Sequence, residues 1–399
     1  FIGALTLVNP EMEEAARVHG ASSRSVARMV TFPLIRPALV GSALLTFMLV
    51  IENFAVSQVL GMPDGIFTVP SRIFALMTSA NPSTTGAAAV GIQLLIITTI
   101  LVLIGNRLLR GRDFTTVTGK GFRPRRISLT RGAKITAWTL VGIYFTVSIV
   151  LPVAALLQTS LRPFMPLQRF SDLFTTEFFS LNAFEQTFDY GPLWLGLRNS
   201  LLVALMTAIL GGALHFSMAL ITRLRDDLPA RGIKYLAMFP AAIPGLVLGM
   251  GFLWTWINMP GPIYGTIFVI VAAYLARFMP EGYRGISSTI GQIHSDIEDS
   301  AIVAGASRLR TTWNITLPLV KTGVVSTLLL LFIISMRELS VALFLFTSQS
   351  RILSIVLYEQ WESGSWARVS AIALFYVVLL LIPTLIARRW FGYGKTQEG

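Results

Sequence analysis

Eight apolar runs set the rhythm of this chain: Pro37–Leu60, Gly86–Ile104, Ile135–Leu157, Asn199–Thr222, Tyr235–Ile257, Pro262–Pro280, Thr322–Phe346 and Val369–Ala387. Each is close to the ~20 residues that carry a helix across a bilayer. The predicted fold is all-α, a polytopic transmembrane helical bundle of about eight spans. Polar segments separate the runs unevenly. A polar loop and two runs come first, then a basic stretch, then four runs, a second polar loop and two final runs.

The two loops are copies of one pattern. Glu14-Ala15-Ala16, three residues, Gly20, nine residues and Val30-Thr31-Phe32-Pro33 form the first. Asp299-Ser300-Ala301, Gly305 and Ile315-Thr316-Leu317-Pro318 repeat it with the same internal spacing, 285 residues later. The second copy opens on Ser295-Asp296-Ile297-Glu298, a capping-box pattern, and the first on Asn9-Pro10-Glu11, an N-cap followed by proline at the first helical position. A short helix is expected through the acidic and alanine positions. Gly20 and Gly305 then permit a bend that other residues resist, and a second short helix leads to Pro33 or Pro318. Small residues at 15, 16, 300 and 301 would let the first helix settle into a partner's groove.

Composition confirms the membrane and charge orients the chain. Hydrophobic residues make up 54% and charged residues 13%, with mean hydropathy +0.68; a soluble protein carries about twice that charged fraction. The net charge of +12 invites a nucleic-acid partner, but its distribution argues for a lipid bilayer and no nucleic acid. With both loops on the cytoplasmic side, residues 1–36, 105–134, 223–234, 277–321 and 388–399 hold 25 of the 32 lysines and arginines, as the positive-inside rule requires. The chain divides into 1–109, holding one loop and two spans; 110–133, a basic cytoplasmic linker; and 134–399, six spans with the second loop. If the repeat is complete, about 150 further residues and four spans are expected before Phe1. The outer segment 159–195, rich in Phe, is expected to lie along the membrane face or to form a small cap.

Catalytic chemistry has no foothold. There is no cysteine, which excludes thiolate metal sites and nucleophiles. His19, His215 and His294 lie far apart, so no metal cluster is expected; His215, inside a span, reads as a satisfied packing residue. Gly119-Lys120-Gly121 lacks the spacing and the hydroxyl of a phosphate-binding loop, and no nucleophile–base pair appears.

The paired loops closely resemble the EAA loop of bacterial ABC importer permeases. The resemblance covers essentially the whole chain. Both copies match at the glycine and the final proline, and Asp299-Ser300 replaces Glu-Ala in the second. It implies the type I importer permease fold, with two fused halves in the bacterial inner membrane. It also implies a cytoplasmic ABC ATPase dimer whose two clefts receive Glu14, Ala15, Ala16, Gly20 and Pro33 on one side and Asp299, Ser300, Ala301, Gly305 and Pro318 on the other. ATP would be used by that partner, with no cofactor on this chain, and a periplasmic binding protein would deliver the substrate to a cavity between the halves. Met336-Arg337-Glu338-Leu339-Ser340, Ile263-Tyr264-Gly265-Thr266 and Trp361-Glu362-Ser363-Gly364 look like the ferric-iron branch. Thiamine, polyamine and other small solutes stay open, as does an ion-gradient-driven secondary transporter.

Charges inside the spans suggest a path. Glu52 lies about 22 Å of helix from the cytoplasmic end, and the 285-residue offset pairs it with Arg337 and Asn53 with Glu338. Intramembrane charges are costly and tend to face a wet interior. Glu52, Arg337 and Glu338 are therefore expected to line the outer path and to close it as an ion pair, the alternative being a structural arrangement. Pro240, Pro244, Gly245, Gly249 and Gly251 interrupt Tyr235–Ile257, as a broken helix at a substrate path would or as close packing through small residues would.

Overall fold

The structure, a computed structural model, describes residues 10–109, 130–162, 179–259, 261 and 263–391. Asn9, most of the 110–133 linker and residues 163–178 of the outer segment lie outside the described residues. Within them every regular element is helical, and the chain forms two compact units, Phe1–Tyr144 and Phe145–Gly399.

In the first unit, α1 (Pro10–Val18) precedes α2 (Ser23–Val26), a π-helical turn (Ala27–Thr31) and α3 (Phe32–Ile51). Then come α4 (Phe54–Gly61), α5 (Val69–Thr78), α6 (Thr84–Leu109) and α7 (Arg131–Phe145). Both α3 and α5 pack on α6. The second unit begins with a π-helical turn (Thr146–Val150), α8 (Leu151–Leu161), α9 (Asn182–Phe188), α10 (Gly191–Leu224), α11 (Leu228–Met238), α12 (Gly245–Asn258), α13 (Ile267–Arg277) and α14 (Met279–Ile290). It continues through α15 (Ser295–Val303), α16 (Arg308–Thr311), a π-helical turn (Thr312–Thr316), α17 (Leu317–Met336), α18 (Leu353–Glu362) and α19 (Trp366–Phe391). The long α10 is its spine, packed against α14 and α17. Met218, Ala219, Tyr283, Ile286, Ile290 and Val320 form the core there.

Among the described residues, six helices are long and apolar enough to span a bilayer, and a seventh if the bent pair Leu228–Ala242 and Gly245–Asn258 counts as one. That bears out an all-α polytopic bundle, and the differences from eight continuous runs have local causes. The runs Pro37–Leu60 and Thr322–Phe346 are not single helices: α3 stops at Ile51 and α17 at Met336. In each case a polar side chain restarts the chain, with Asn53 Oδ1 accepting from the Val56 amide at 3.0 Å and Glu338 Oε1 from the Val341 amide at 3.1 Å. The run Pro262–Pro280 holds only the 11-residue α13 before the chain turns into α14. Tyr235–Ile257 bends by 106°. Ile243, forced out of the helical region by Pro244, is extended at φ −98° and ψ 115°, and Arg277 Nη1 satisfies its carbonyl at 3.0 Å. The glycines serve packing at the same place, because a Cβ on Gly249 would lie 2.6 Å from the Val341 carbonyl oxygen.

All three π-helical turns end two residues before a proline: Pro33, Pro152 and Pro318. Proline lacks an amide and its ring crowds the carbonyl four residues back. Widening the preceding turn relieves this: Phe32, Leu151 and Leu317 donate to Ala27, Thr146 and Thr312, five residues back. Pro33 and Pro318 therefore sit inside continuous helices, Ser23–Ile51 and Arg308–Met336. The expected separate second helix of each loop is the lower end of the span.

Candidate functional site

The two loops fold alike, residue for residue, each within its own unit. α1 and α15 start and stop at positions 285 apart, as do α2 and α16, and α3 and α17. Each nine-residue helix ends in a Schellman cap. The Ala21 amide donates to Ala16 O at 3.1 Å and the Gly20 amide to Arg17 O at 2.9 Å. In the second copy Ala306 donates to Ala301 O at 3.0 Å and Gly305 to Ile302 O at 2.9 Å. The cap requires a left-handed residue, and Gly20 and Gly305 adopt φ +85° and +88°. The four-residue step from Ala16 to Gly20 is thus the geometry of a helix stop. Ser22 and Ser307 then cap the next helix, each accepting a backbone amide at 3.3 Å.

The outward surface follows from the helical period. Glu14, Ala15, Asp299 and Ser300 are exposed, whereas Ala16 and Ala301 are half-buried. Ser300 also bonds back to the Asp296 carbonyl at 2.6 Å. Apolar side chains flank them at matching positions: Met12 is 49% and Ile297 46% exposed, Val18 85% and Val303 89%. The same two positions are thus apolar and uncovered in both copies. Beside α15 lies a cleft of about 520 Å³, lined by Arg223, His294, Glu298, Asp299, Ile302 and Arg308 among others.

The residue just before each motif points the other way. Glu298 is buried at 8% exposure. Its Oε1 accepts from the Thr316 hydroxyl at 2.7 Å, and its Oε2 pairs with Arg223 Nη2 at 3.0 Å. In the first unit Thr31 donates to Glu13 Oε1 at 2.6 Å. The capping box expected at Ser295 is therefore not made: His294 is the N-cap, and Glu298 is committed elsewhere. Glu13 and Glu298 had a legible signal, being identical in both copies together with Thr31 and Thr316.

The charged candidates in the spans occupy helix breaks. Glu52 is the half-buried C-cap of α3, and Arg337 the exposed C-cap of α17 rather than a mid-helix charge. A cation suits that end of the helix dipole and an anion opposes it. The Glu338 carbonyl takes the Tyr274 hydroxyl at 2.9 Å and the Ser354 hydroxyl at 2.8 Å, which pins the break to α13 and α18. His215 is buried against Gly211 and Gly282, but neither ring nitrogen has a hydrogen-bond partner, so it packs without being satisfied.

Among the described residues, six apolar spans and a twice-built helix–glycine–span element define a multi-pass membrane protein. Residues 1–112 and 211–392 match the family described as "Binding-protein-dependent transport system inner membrane component", and the chain belongs to it. Each matched segment carries one loop, in agreement with the resemblance drawn from the motif. The chain is 25% identical to the ferric transport system permease protein FbpB of Actinobacillus pleuropneumoniae, over 99% of this chain and 56% of that protein. It is 26% identical to the Fe(3+)-transport system permease protein FbpB 2 of Haemophilus influenzae, over 97% of this chain and 72% of that protein. The chain thus spans little more than half the length of the first. A crystal structure of a bacterial ABC transporter involved in the import of the acidic polysaccharide alginate shares the fold. It has a TM-score of 0.51 and 16% identity, covering 67% of this chain and 97% of that one.

Proposed function

We propose that this chain is the permease part of a bacterial ATP-driven importer that moves ferric iron, handed over by a periplasmic binding protein, across the inner membrane. One observation carries the reading: the docking helix is built twice, with the same cap, exposed apolar residues at the same positions and the same inward carboxylate. Two equal docking helices suit an ATPase dimer with two equal clefts. Asp299, Ser300, Ala301 and Gly305, with Glu14, Ala15, Ala16 and Gly20, form the faces that enter them. Pro33 and Pro318 join each loop to its span. ATP is bound and hydrolysed by that partner, and this chain holds no cofactor and carries out no covalent chemistry.

Closure of the ATPase dimer moves α1 and α15 together, and the continuous helices beneath them tilt to alternate access. Residues 1–109 act as the later part of one permease half and 134–399 as the other, with 110–133 as the linker. Glu52, Arg337 and Glu338, at the equivalent breaks after α3 and α17, line the outer substrate path in this reading. The ferric assignment rests on the named relatives. It is tested by ATP hydrolysis in proteoliposomes holding the full-length permease and its ATPase. Ferric-loaded binding protein should stimulate hydrolysis. Stimulation by a thiamine- or polyamine-loaded protein instead would replace the substrate, and no co-purifying ATPase would remove the importer reading.

A further inference from the structure

The docking helices have almost no hydrophobic attachment to the units that carry them. At nine residues, α15 is shorter than the ~12–15 at which an isolated helix becomes even marginal in water. Its apolar side chains Ile297, Ile302 and Val303 are exposed. Among its described residues Glu298 is the one buried side chain. The Glu298 carboxylate ties α15 to the rest of its unit, and both of its oxygens are used. Thr316, the last residue of the π-helical turn at the base of α17, donates to one. Arg223, in the last turn of α10, holds the other through Nη2 and through Nε at 3.2 Å. The same guanidinium donates to the carbonyl of Ile290, the last residue of α14, and to Ile293 O at 2.9 Å. Four segments meet on one carboxylate–guanidinium pair. In the first unit Glu13 and Thr31 repeat the α1-to-span bond across the same 18 residues.

Burying a carboxylate costs free energy that an apolar side chain would not, so stability alone does not call for it. Its distinctive property is direction. A charge-assisted hydrogen bond resists both sliding and rotation of the short helix over the span, which apolar contact at this exposed face does not. We propose that Glu298 and Glu13 are positioning residues that transmit force, locking each docking helix to the foot of its span so that ATPase closure moves the span. This rests on the docking reading above and goes beyond it, because these residues face away from the partner.

The test uses the full-length permease with its ATPase and binding protein in proteoliposomes, measuring three quantities: ATPase Kd, stimulated hydrolysis and substrate moved per ATP. Glu298→Ala should leave Kd within about two-fold and retain hydrolysis, yet lower transport per ATP at least ten-fold. Thr316→Val, which keeps the Arg223 pair and so guards against a folding failure, should uncouple in the same direction. Thr316→Ser, which restores the hydroxyl, should behave as wild type. Unchanged transport per ATP in both Glu298→Ala and Thr316→Val, or a loss confined to Kd, overturns the proposal. A wild-type permease that binds no ATPase overturns the docking reading itself.

Discussion

Substituting Gly20 and Gly305 separates a backbone requirement from a packing one. Both glycines sit at C′ of a Schellman cap with φ +85° and +88°, and a Cβ built on either meets nothing within 4 Å. Alanine therefore adds no clash, and its cost is the left-handed conformation itself, ~1–2 kcal/mol per residue. Where the alanine lets the cap relax in the free permease and docking must restore it, each substitution should weaken ATPase binding by up to roughly 5- to 30-fold, at about 1.4 kcal/mol per tenfold. Asparagine is larger but visits the left-handed region several-fold more readily, so its penalty should fall below about 1 kcal/mol, or less than roughly 5-fold. Valine, branched at Cβ, should be worst. The assay is the Kd of the ATPase for nanodisc-embedded permease, measured for each glycine singly and for both together. The two sites lie in separate loops, so their free energies should add. If asparagine is as damaging as alanine or worse, the glycines are there for space against the partner, and the cap argument fails.

Other variants probe the remaining parts. Val18→Ser and Val303→Ser should each remove about 1.5 kcal/mol of apolar burial on docking, close to tenfold in Kd, with no change in the thermal midpoint of the free permease. Gly282→Ala would put its Cβ 1.9 Å from His215 Nδ1. It should cost ~1–3 kcal/mol as an overpacked core does, and His215→Ala in the same chain should recover part of the lost thermal midpoint. Asn199 donates to the carbonyls of Gln349 and Arg351 at 2.9 Å each. Asn199→Leu should strand both, at ~1–3 kcal/mol apiece, and lower the unfolding temperature in detergent.

The repeat and the spans were legible because hydropathy blocks and a fixed spacing need no tertiary knowledge. Helix ends were less so. Apolar runs continue across Glu52-Asn53 and Arg337-Glu338, and only cap geometry shows that α3 and α17 stop there. Glu298 reads in the sequence as part of a capping box, and Glu13 carries no assignment there. Their role depends on threonines 18 residues away, which the π-helical turn before each proline brings underneath. Comparing the two copies for identity rather than for spacing points to them, since Glu13, Thr31 and Pro33 recur unchanged while Glu14 becomes Asp299. Val18 and Val303 went unremarked because nothing in a single sequence distinguishes an exposed valine from a core one.

The central claim is that two loops take their drive from an ATPase. Its most direct test is substrate uptake into proteoliposomes holding the full-length permease, with the ATPase, ATP and binding protein added or omitted one at a time and the proton gradient collapsed or intact. Uptake should need all three additions and survive collapse of the gradient. Uptake that persists without the ATPase and follows the proton gradient would contradict the account.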